Sequence, residues 1–136
     1  MTEENVELAR AYIEAYHVGG LDATEPLRHP ETEVLDPPTF PDASSHVGEQ
    51  AVRRVVEGYV DLGWDGVFHD PEFHDAGDQV LVVWQFRGES AHGGGFPLEA
   101  TMCHLYDFED GKVRRIRQFM SREEGMEAAG LAKGAN

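Results

Sequence analysis

The sequence has 136 residues, of which 40% are hydrophobic, and no composition break, so we expect one domain over residues 1–136. The 26 acidic residues outnumber the 11 basic ones and give a net charge of −15. A field of this sign repels phosphate backbones and anionic lipids, which argues against nucleic-acid and membrane partners.

The N-terminus and the cysteine content predict a cytoplasmic protein. The first residues, Met-Thr-Glu-Glu, lack the basic and apolar regions of a signal peptide, and no run of 18 apolar residues occurs. The single cysteine, Cys103, cannot form an internal disulfide, which fits a reducing compartment.

Two long helices are predicted in the first half of the chain. Apolar residues recur at helical spacing from Glu3 to Val18, and Gly19-Gly20 provides a stop. A second amphipathic helix follows Gly48 and should end near Gly63. Between the two helices, residues 33–36 form a short predicted strand, which two prolines end and a polar loop follows.

The second half of the chain predicts strands and then one short helix. The strand patterns cover Val80 to Phe86, Leu98 to Phe108 and Val113 to Met120, with a hairpin turn at Asp110-Gly111. The triple glycine at 93–95 predicts a flexible hairpin connection. A capping box at 121–124 should open a helix around Met126 to Leu131. Helices followed by long antiparallel strands are typical of an α+β fold, with helices packed on one face of a strongly twisted sheet.

Three stretches together carry a family resemblance: residues 10–22 (RAYIEAYHVGGLD), 33–37 (EVLDP) and 104–113 (HLYDFEDGKV). In this order and spacing, the chain resembles the SnoaL-like and ketosteroid-isomerase-like branch of the nuclear transport factor 2-like superfamily. The resemblance implies a cone-shaped α+β barrel: a strongly curved, mostly antiparallel sheet with helices across its concave face, a deep pocket and a homodimer. The superfamily includes isomerases, dehydratases and polyketide cyclases as well as binding domains, so the fold alone does not fix a reaction.

The resemblance also implies three catalytic residues. Asp36 matches the base that moves a proton next to a carbonyl group, and Tyr12 matches the tyrosine that donates a hydrogen bond to the developing oxyanion. A second interpretation of Asp36 is a cap on the turn at Pro37-Pro38, and Tyr12 could equally be a core aromatic residue. His104 stands where the isomerases have a protonated aspartate, a departure that argues against true ketosteroid isomerase activity.

Strand alternation predicts which side chains line the pocket. Met102, His104, Tyr106 and Phe108 share one face of their strand, whereas Cys103 and Leu105 share the other. The family resemblance implies that residues of the neighbouring strands and the first helix line the same side. The predicted ligand-binding set is Tyr16, Val82, Trp84, Phe86, Met102, Tyr106, Ile116, Gln118 and Met120. Leu105, Cys103 and Phe119 should then form an apolar outer face that a second copy of the chain would cover.

Neither a metal nor a cofactor is expected. His69 and His74 are five residues apart, so a strand would direct them to opposite faces, and no metal-binding motif occurs. Cys103 is expected to be a packing residue and not a nucleophile.

The sequence therefore predicts a cofactor-independent isomerase, cyclase or dehydratase that acts on a small apolar or polycyclic molecule. The alternatives are a binding module without turnover and a dimerisation domain of the same fold. An enzyme requires Asp36, Tyr12 and His104 to converge in one cavity.

Overall fold

The computed structural model describes residues 2–89 and 97–131, which form three helices and six strands. The triple glycine at 93–95 lies outside the described residues. The elements in chain order are α1 (Thr2–Thr24), a 3-10 turn (Glu25–Leu27), β1 (Arg28–Leu35), β2 (Ser45–Val47), α2 (Glu49–Asp61), β3 (His69–Ala76), β4 (Gln79–Glu89), β5 (Pro97–Glu109), β6 (Lys112–Phe119) and α3 (Arg122–Ala128).

The six strands form one mixed sheet in the order β2-β1-β6-β5-β4-β3. The β1–β6 pair is parallel, and the other four pairs are antiparallel. The sheet is strongly curled and cone-like, as predicted, but it does not close into a barrel. Within the described residues, β2 and β3 form the two edges of the sheet and do not pair with each other. The α+β fold class is confirmed.

The two faces of the sheet carry separate apolar clusters. On the concave face, α1 and α2 pack over Met102 and Tyr106 of β5, together with residues of the neighbouring strands. On the opposite face, Cys103 and Leu105 pack against α3. The predicted alternation along β5 is therefore correct. The structure differs from the prediction at the third helix, because α3 covers part of an outer face that was expected to carry no helix.

Local turn chemistry follows the sequence closely. Asp110 and Gly111 both have positive φ, 53° and 73°, the backbone shape of a type I′ hairpin turn. Gly20, with φ 74°, kinks α1 near the predicted stop, but the helix resumes as far as Thr24. The strand predicted over 33–36 begins earlier, at Arg28, and the loop that follows contains β2, which the sequence pattern did not reveal.

Candidate functional site

Three cavities meet at the side chain of Tyr59 on α2. The inner cavity, of about 40 Å³, lies between the helices and the sheet, and it is lined by Tyr12, Tyr16, Leu21, Val34, Val52, Val55, Val56, Tyr59, Trp64, Phe68, His104, Tyr106, Ile116 and Gln118. The outer pocket, of about 260 Å³, is lined by Asp36, Pro37, Phe40, His46, Arg54, Val55, Gly58, Tyr59, Leu62, Met102 and Gln118. A side groove of about 200 Å³ shares Phe40, Tyr59, Leu62 and Met102 with that pocket.

These volumes decide where an organic ligand fits. The inner cavity has room for little more than a few water molecules, since one water needs roughly 10–15 Å³ of such space. The outer pocket and the side groove together approach the roughly 300–1,000 Å³ of typical ligand sites. Tyr59 and Gln118 line both the inner cavity and the outer pocket, and so stand between them.

A chain of hydrogen bonds runs through Tyr59 and Gln118, and one backbone carbonyl fixes which group donates and which accepts at each bond. Gln118 Nε2 donates to the Leu35 carbonyl at 3.2 Å, so the amide oxygen of Gln118 is free to accept. Tyr59 donates its hydroxyl proton to that oxygen. The phenol oxygen then accepts from Nε2 of His104 at 3.2 Å, and Nδ1 of His104 accepts from the Tyr106 hydroxyl at 3.4 Å. Each polar side chain of this chain of hydrogen bonds thereby has a partner.

Burial sets the protonation states along this chain. Desolvation lowers the pKa of His104 to about 3, so the imidazole is neutral at physiological pH. Desolvation also raises the pKa of Tyr59, and the negative charge of Asp36 raises it further. The pKa of Tyr106 is raised by the same desolvation and by its tyrosine neighbours. The network is therefore a set of neutral donors and acceptors with a carboxylate nearby.

Asp36 lies at the rim of the outer pocket and pairs with His46. The β1–β2 ladder places Val34 opposite His46, and Asp36 follows β1 directly. Nε2 of His46 lies 3.2 Å from both carboxylate oxygens of Asp36. The Ser44 N–H also donates to Asp36 at 3.2 Å, so the carboxylate closes the loop between β1 and β2. Asp36 is thus both a loop cap and a pocket residue.

Tyr12 lies apart from Asp36, at a buried arginine. Its hydroxyl accepts from Arg28 at 3.5 Å, and Arg28 also donates to Thr24 and, at 2.6 Å, to both carboxylate oxygens of Glu49. Tyr12 and His104 both line the inner cavity, whereas Asp36 lines the outer pocket. The three residues do not line a common cavity, and Tyr59 stands between Asp36 and His104.

The remaining predicted pocket residues divide among the cavities. Tyr16, Tyr106 and Ile116 line the inner cavity, and Gln118 lines both it and the outer pocket. Met102, Phe86 and Met120 line the side groove. Val82 and Trp84 are fully buried and line none of the three cavities.

Sequence reasoning missed two residues of the site: Tyr59, which lines all three cavities, and His46, which contacts Asp36. Tyr59 was predicted only as part of an amphipathic helix stripe, and no local pattern distinguishes it from its apolar neighbours. The residues around His46 are typical of a loop, and no local pattern predicts β2. Only the pairing of β2 with β1 brings His46 to Asp36.

The other candidate side chains are engaged in surface or packing contacts. His69 contacts Asp65 at 2.6 Å and His74 contacts Glu72 at 3.2 Å, so the two histidines do not share a site. Cys103 is buried beneath α3, and desolvation raises the pKa of its thiol to about 11, as expected for a packing residue.

One group of possible metal ligands occurs on the surface within the described residues: His29, Glu109 and Asp110. Nδ1 of His29 accepts from the Glu31 N–H at 3.0 Å, so a neutral ring carries its proton on Nε2. That nitrogen lies 3.6 Å from Glu109, which Arg114 also approaches at 3.3 Å. The pairing of Glu109 with Arg114 favours a surface ion pair over a metal centre.

The fold and the cavities together define a class: small α+β domains whose curled sheet and helices enclose an apolar pocket. The model of the SnoaL-like domain family matches residues 9–116. The chain belongs to this family, and its fold is that of the nuclear transport factor 2-like superfamily. No curated protein matches the chain.

Solved structures share this fold at low sequence identity. An NTF2-like protein from Burkholderia thailandensis has TM-score 0.71 and 22% identity, with 96% of this chain and 95% of that chain covered. A candidate polyketide cyclase from Xanthomonas campestris pv. campestris has TM-score 0.71 and 17% identity (93% and 97% covered). A candidate isomerase from Bacillus subtilis has TM-score 0.68 and 16% identity (96% and 94% covered). At these identities the likeness concerns the fold. None of the helices in the described residues is long and apolar enough to cross a membrane.

Proposed function

We propose that this protein is a cofactor-independent isomerase or cyclase that moves a proton next to a carbonyl group of an apolar substrate in the outer pocket. The observation that carries the proposal is the presence of a carboxylate and a phenol in one largely apolar pocket, which Asp36 and Tyr59 both line. The names of the structural relatives, a candidate cyclase and a candidate isomerase, agree with this reaction class.

Each group has a role in the proposed step. The Asp36 carboxylate accepts a proton from the carbon beside the substrate carbonyl, and the electron pair of that C–H bond moves onto the carbonyl oxygen as an enolate. Tyr59 donates to this oxygen, because an oxyanion is a stronger acceptor than the Gln118 amide that holds the phenol proton at rest. In a substrate whose double bond is conjugated with the enolate, protonated Asp36 returns the proton to the far carbon of that double bond. The carbonyl group re-forms and the double bond shifts, which completes an isomerisation.

His104 acts through Tyr59 in this proposal. Its Nε2–H donates to the phenol oxygen at 3.2 Å, and a donor at that oxygen strengthens the hydrogen bond that the phenol itself donates. Tyr12, held by Arg28, supports the wall of the inner cavity and takes no part in the proton transfer.

The test uses hydrogen–deuterium exchange in a panel of small apolar ketones, beginning with 2-tetralone, followed by NMR in D2O. The wild-type protein should accelerate exchange at the carbon beside the carbonyl, and Asp36→Asn should lower the accelerated rate by roughly 10²–10⁴-fold. Asp42→Asn, in an exposed position of the same loop, is the matched control and should retain the wild-type rate. Exchange at the buffer rate across the panel would overturn the proposal.

A stability measurement separates chemistry from loop closure. The Asn side chain can still accept from the Ser44 N–H, so Asp36→Asn should melt close to the wild type. Asp36→Ala loses this acceptor and should lose about 1 kcal/mol of unfolding free energy. If Asp36→Asn melts at as low a temperature as Asp36→Ala, the substitution disturbs the loop. A loss of exchange rate in that variant could then not be attributed to loss of the base.

A binding module without turnover is the second candidate, and one observation favours it. Both carboxylate oxygens of Asp36 already contact His46, and one also accepts from Ser44. A carboxylate engaged in this way can serve loop structure alone. Ligand binding in the pocket without any exchange activity would support this candidate.

We also infer a homodimer, but the apolar outer face that was predicted as its interface does not argue for it. Leu105, Cys103 and Phe119 are covered by α3 of the same chain. Arg115–Glu33 and Gln79–Asp107 are polar pairs between neighbouring strands. Sedimentation velocity at micromolar concentration tests the homodimer, with a single monomer boundary as the contrary result.

A further inference from the structure

Arg54 differs from the other arginines of the chain in having no partner among the described residues. Seven of the nine arginines form ion pairs with carboxylates. Arg117 lies over the Phe119 ring, with its guanidinium carbon 5.4 Å from the ring centroid. Arg54 is exposed and lines the outer pocket. In a protein of net charge −15, Arg54 is thus a pocket arginine whose charge no carboxylate of the described residues neutralises.

The chemistry of the pocket indicates what this guanidinium recognises. The walls beside it are apolar, with Phe40, Leu62 and Met102 among them. A planar guanidinium donates two parallel hydrogen bonds to a carboxylate or sulfonate, a geometry that lysine does not offer. Such a rim attracts an apolar molecule that carries one anionic group.

The carboxylate of Asp36 lines the same pocket and would repel an anion placed next to it. Its charge is partly offset by the Ser44 N–H and by the His46 ring, both within 3.2 Å. Arg54 belongs to α2, whereas Asp36 belongs to the β1–β2 edge of the sheet. An anion at Arg54 therefore selects one orientation of the ligand, with its uncharged part toward Asp36 and Tyr59.

We propose that the outer pocket binds apolar organic anions, with Arg54 as the residue that selects the carboxylate or sulfonate. This rests on the outer pocket being the substrate site of the proposed function, and it names the substrate class: an apolar carbonyl compound that carries an acid group. The net charge of −15 repels phosphate backbones and anionic lipid surfaces, which carry many negative charges, more strongly than a small molecule with one.

The test compares two fluorescent probes that share an apolar body and differ in charge. 8-Anilinonaphthalene-1-sulfonate carries a sulfonate, and N-phenyl-1-naphthylamine is its neutral counterpart. The wild-type protein should bind the sulfonate more tightly, and Arg54→Gln should weaken the sulfonate about five- to tenfold while leaving the neutral probe unchanged. Raising the salt to about 0.5 M should narrow the difference between the probes, because the arginine is exposed.

Arg53→Gln is the matched control. Arg53 is the preceding residue of α2, but it pairs with Asp22 and Glu49 and does not line the pocket. This variant should bind both probes as the wild type does. Phe40→Ala, which shortens an apolar wall of the pocket, should weaken both probes and thereby locate them there. Near-UV circular dichroism of each variant confirms that the probes report on a folded protein.

Three results would overturn the proposal. The first is no binding of the sulfonate probe to the wild type at concentrations on the order of 100 μM. The others are equal weakening of sulfonate binding by Arg53→Gln and Arg54→Gln, and a neutral probe whose binding Arg54→Gln weakens as much as that of the sulfonate. Failure of the proposed function is detected by a different measurement, the ketone exchange. Selective sulfonate binding without ketone exchange would retain the ligand class and remove the catalytic step.

Discussion

At the scale of single residues, Tyr59 connects the features of the site. Its hydroxyl accepts from His104 and donates to Gln118, and its ring borders all three cavities. The ring also lies edge-on to Trp64 and Phe86, with centroids 5.6 and 6.0 Å away. The hydroxyl thus completes a polar network inside an aromatic cluster.

Tyr59→Phe should reduce the unfolding free energy by about 1–3 kcal/mol. The substitution keeps the ring but leaves the His104 Nε2–H and the Gln118 amide oxygen without partners in a buried place. Denaturant unfolding at neutral pH measures the change.

Tyr16→Phe is the matched control for this prediction. Tyr16 lines the same inner cavity, but among the described residues its hydroxyl has no hydrogen-bond partner, so its removal should change stability by less than about 0.5 kcal/mol. Equal losses for the two variants would show that the hydrogen-bond network adds no stability.

At the scale of secondary-structure elements, α3 is positioned by one close contact with the sheet. Ser121 caps the helix by accepting from the Glu124 N–H at 3.1 Å, as the capping-box pattern predicts. The helix then crosses β5 at Gly125, where an added Cβ would lie 2.7 Å from both Cβ and Sγ of Cys103. Glycine is therefore required at this crossing for space.

Gly125→Ala should destabilise the protein by about 1–3 kcal/mol, because α3 must lift from the sheet to accommodate a methyl group against Cys103. Thermal or denaturant unfolding measures the loss. Exposure of the Cys103 thiol, followed by its reaction with a thiol reagent, should rise in parallel.

Gly58→Ala serves as the control for the Gly125 substitution. Gly58 also lies in a helix, but its added Cβ meets no described atom within 4 Å beyond its chain neighbours and its own helix backbone. Alanine should therefore be neutral or stabilise by up to about 1 kcal/mol. A Gly125→Ala protein as stable as Gly58→Ala would contradict the close packing of α3.

At the scale of the whole molecule, the buried His104 couples folding to pH. The folded protein holds this ring neutral, with its pKa lowered by burial to about 3, against 6.5 for a free histidine. Between these two values the unfolded chain binds a proton that the folded chain does not. The stabilising contribution is complete above pH about 6.5 and is lost as the pH falls toward 3.

The unfolding free energy of the wild type should therefore fall by about 2 kcal/mol between pH 7.5 and pH 5 relative to His104→Gln, which lacks the titrating group. Denaturant unfolding of both proteins at the two pH values measures this double difference. The comparison removes the contribution of the carboxylates, which the two proteins share. Parallel pH profiles would show that the folded protein accommodates a charged His104.

The sequence by itself determined the two long helices, the strands of the second half of the chain and the faces of the sheet. The spacing of apolar residues predicted α1 and α2, the turn at Asp110-Gly111 and the capping box at Ser121 were visible locally, and period-2 alternation separated Met102 and Tyr106 from Cys103 and Leu105. These features depend on residues within a few positions of one another, where backbone geometry links sequence to structure directly.

Only the tertiary structure decided which polar residues meet. Tyr59 contacts Gln118 across 59 positions and His104 across 45, and Gln118 contacts the Leu35 carbonyl across 83. The parallel β1–β6 register places Leu35 beside Arg117, and so brings its carbonyl within reach of Gln118. The β1–β2 register sets His46 against Asp36. Apolar periodicity fixes the face on which a side chain lies but not its partner, because strand pairing and helix docking are non-local.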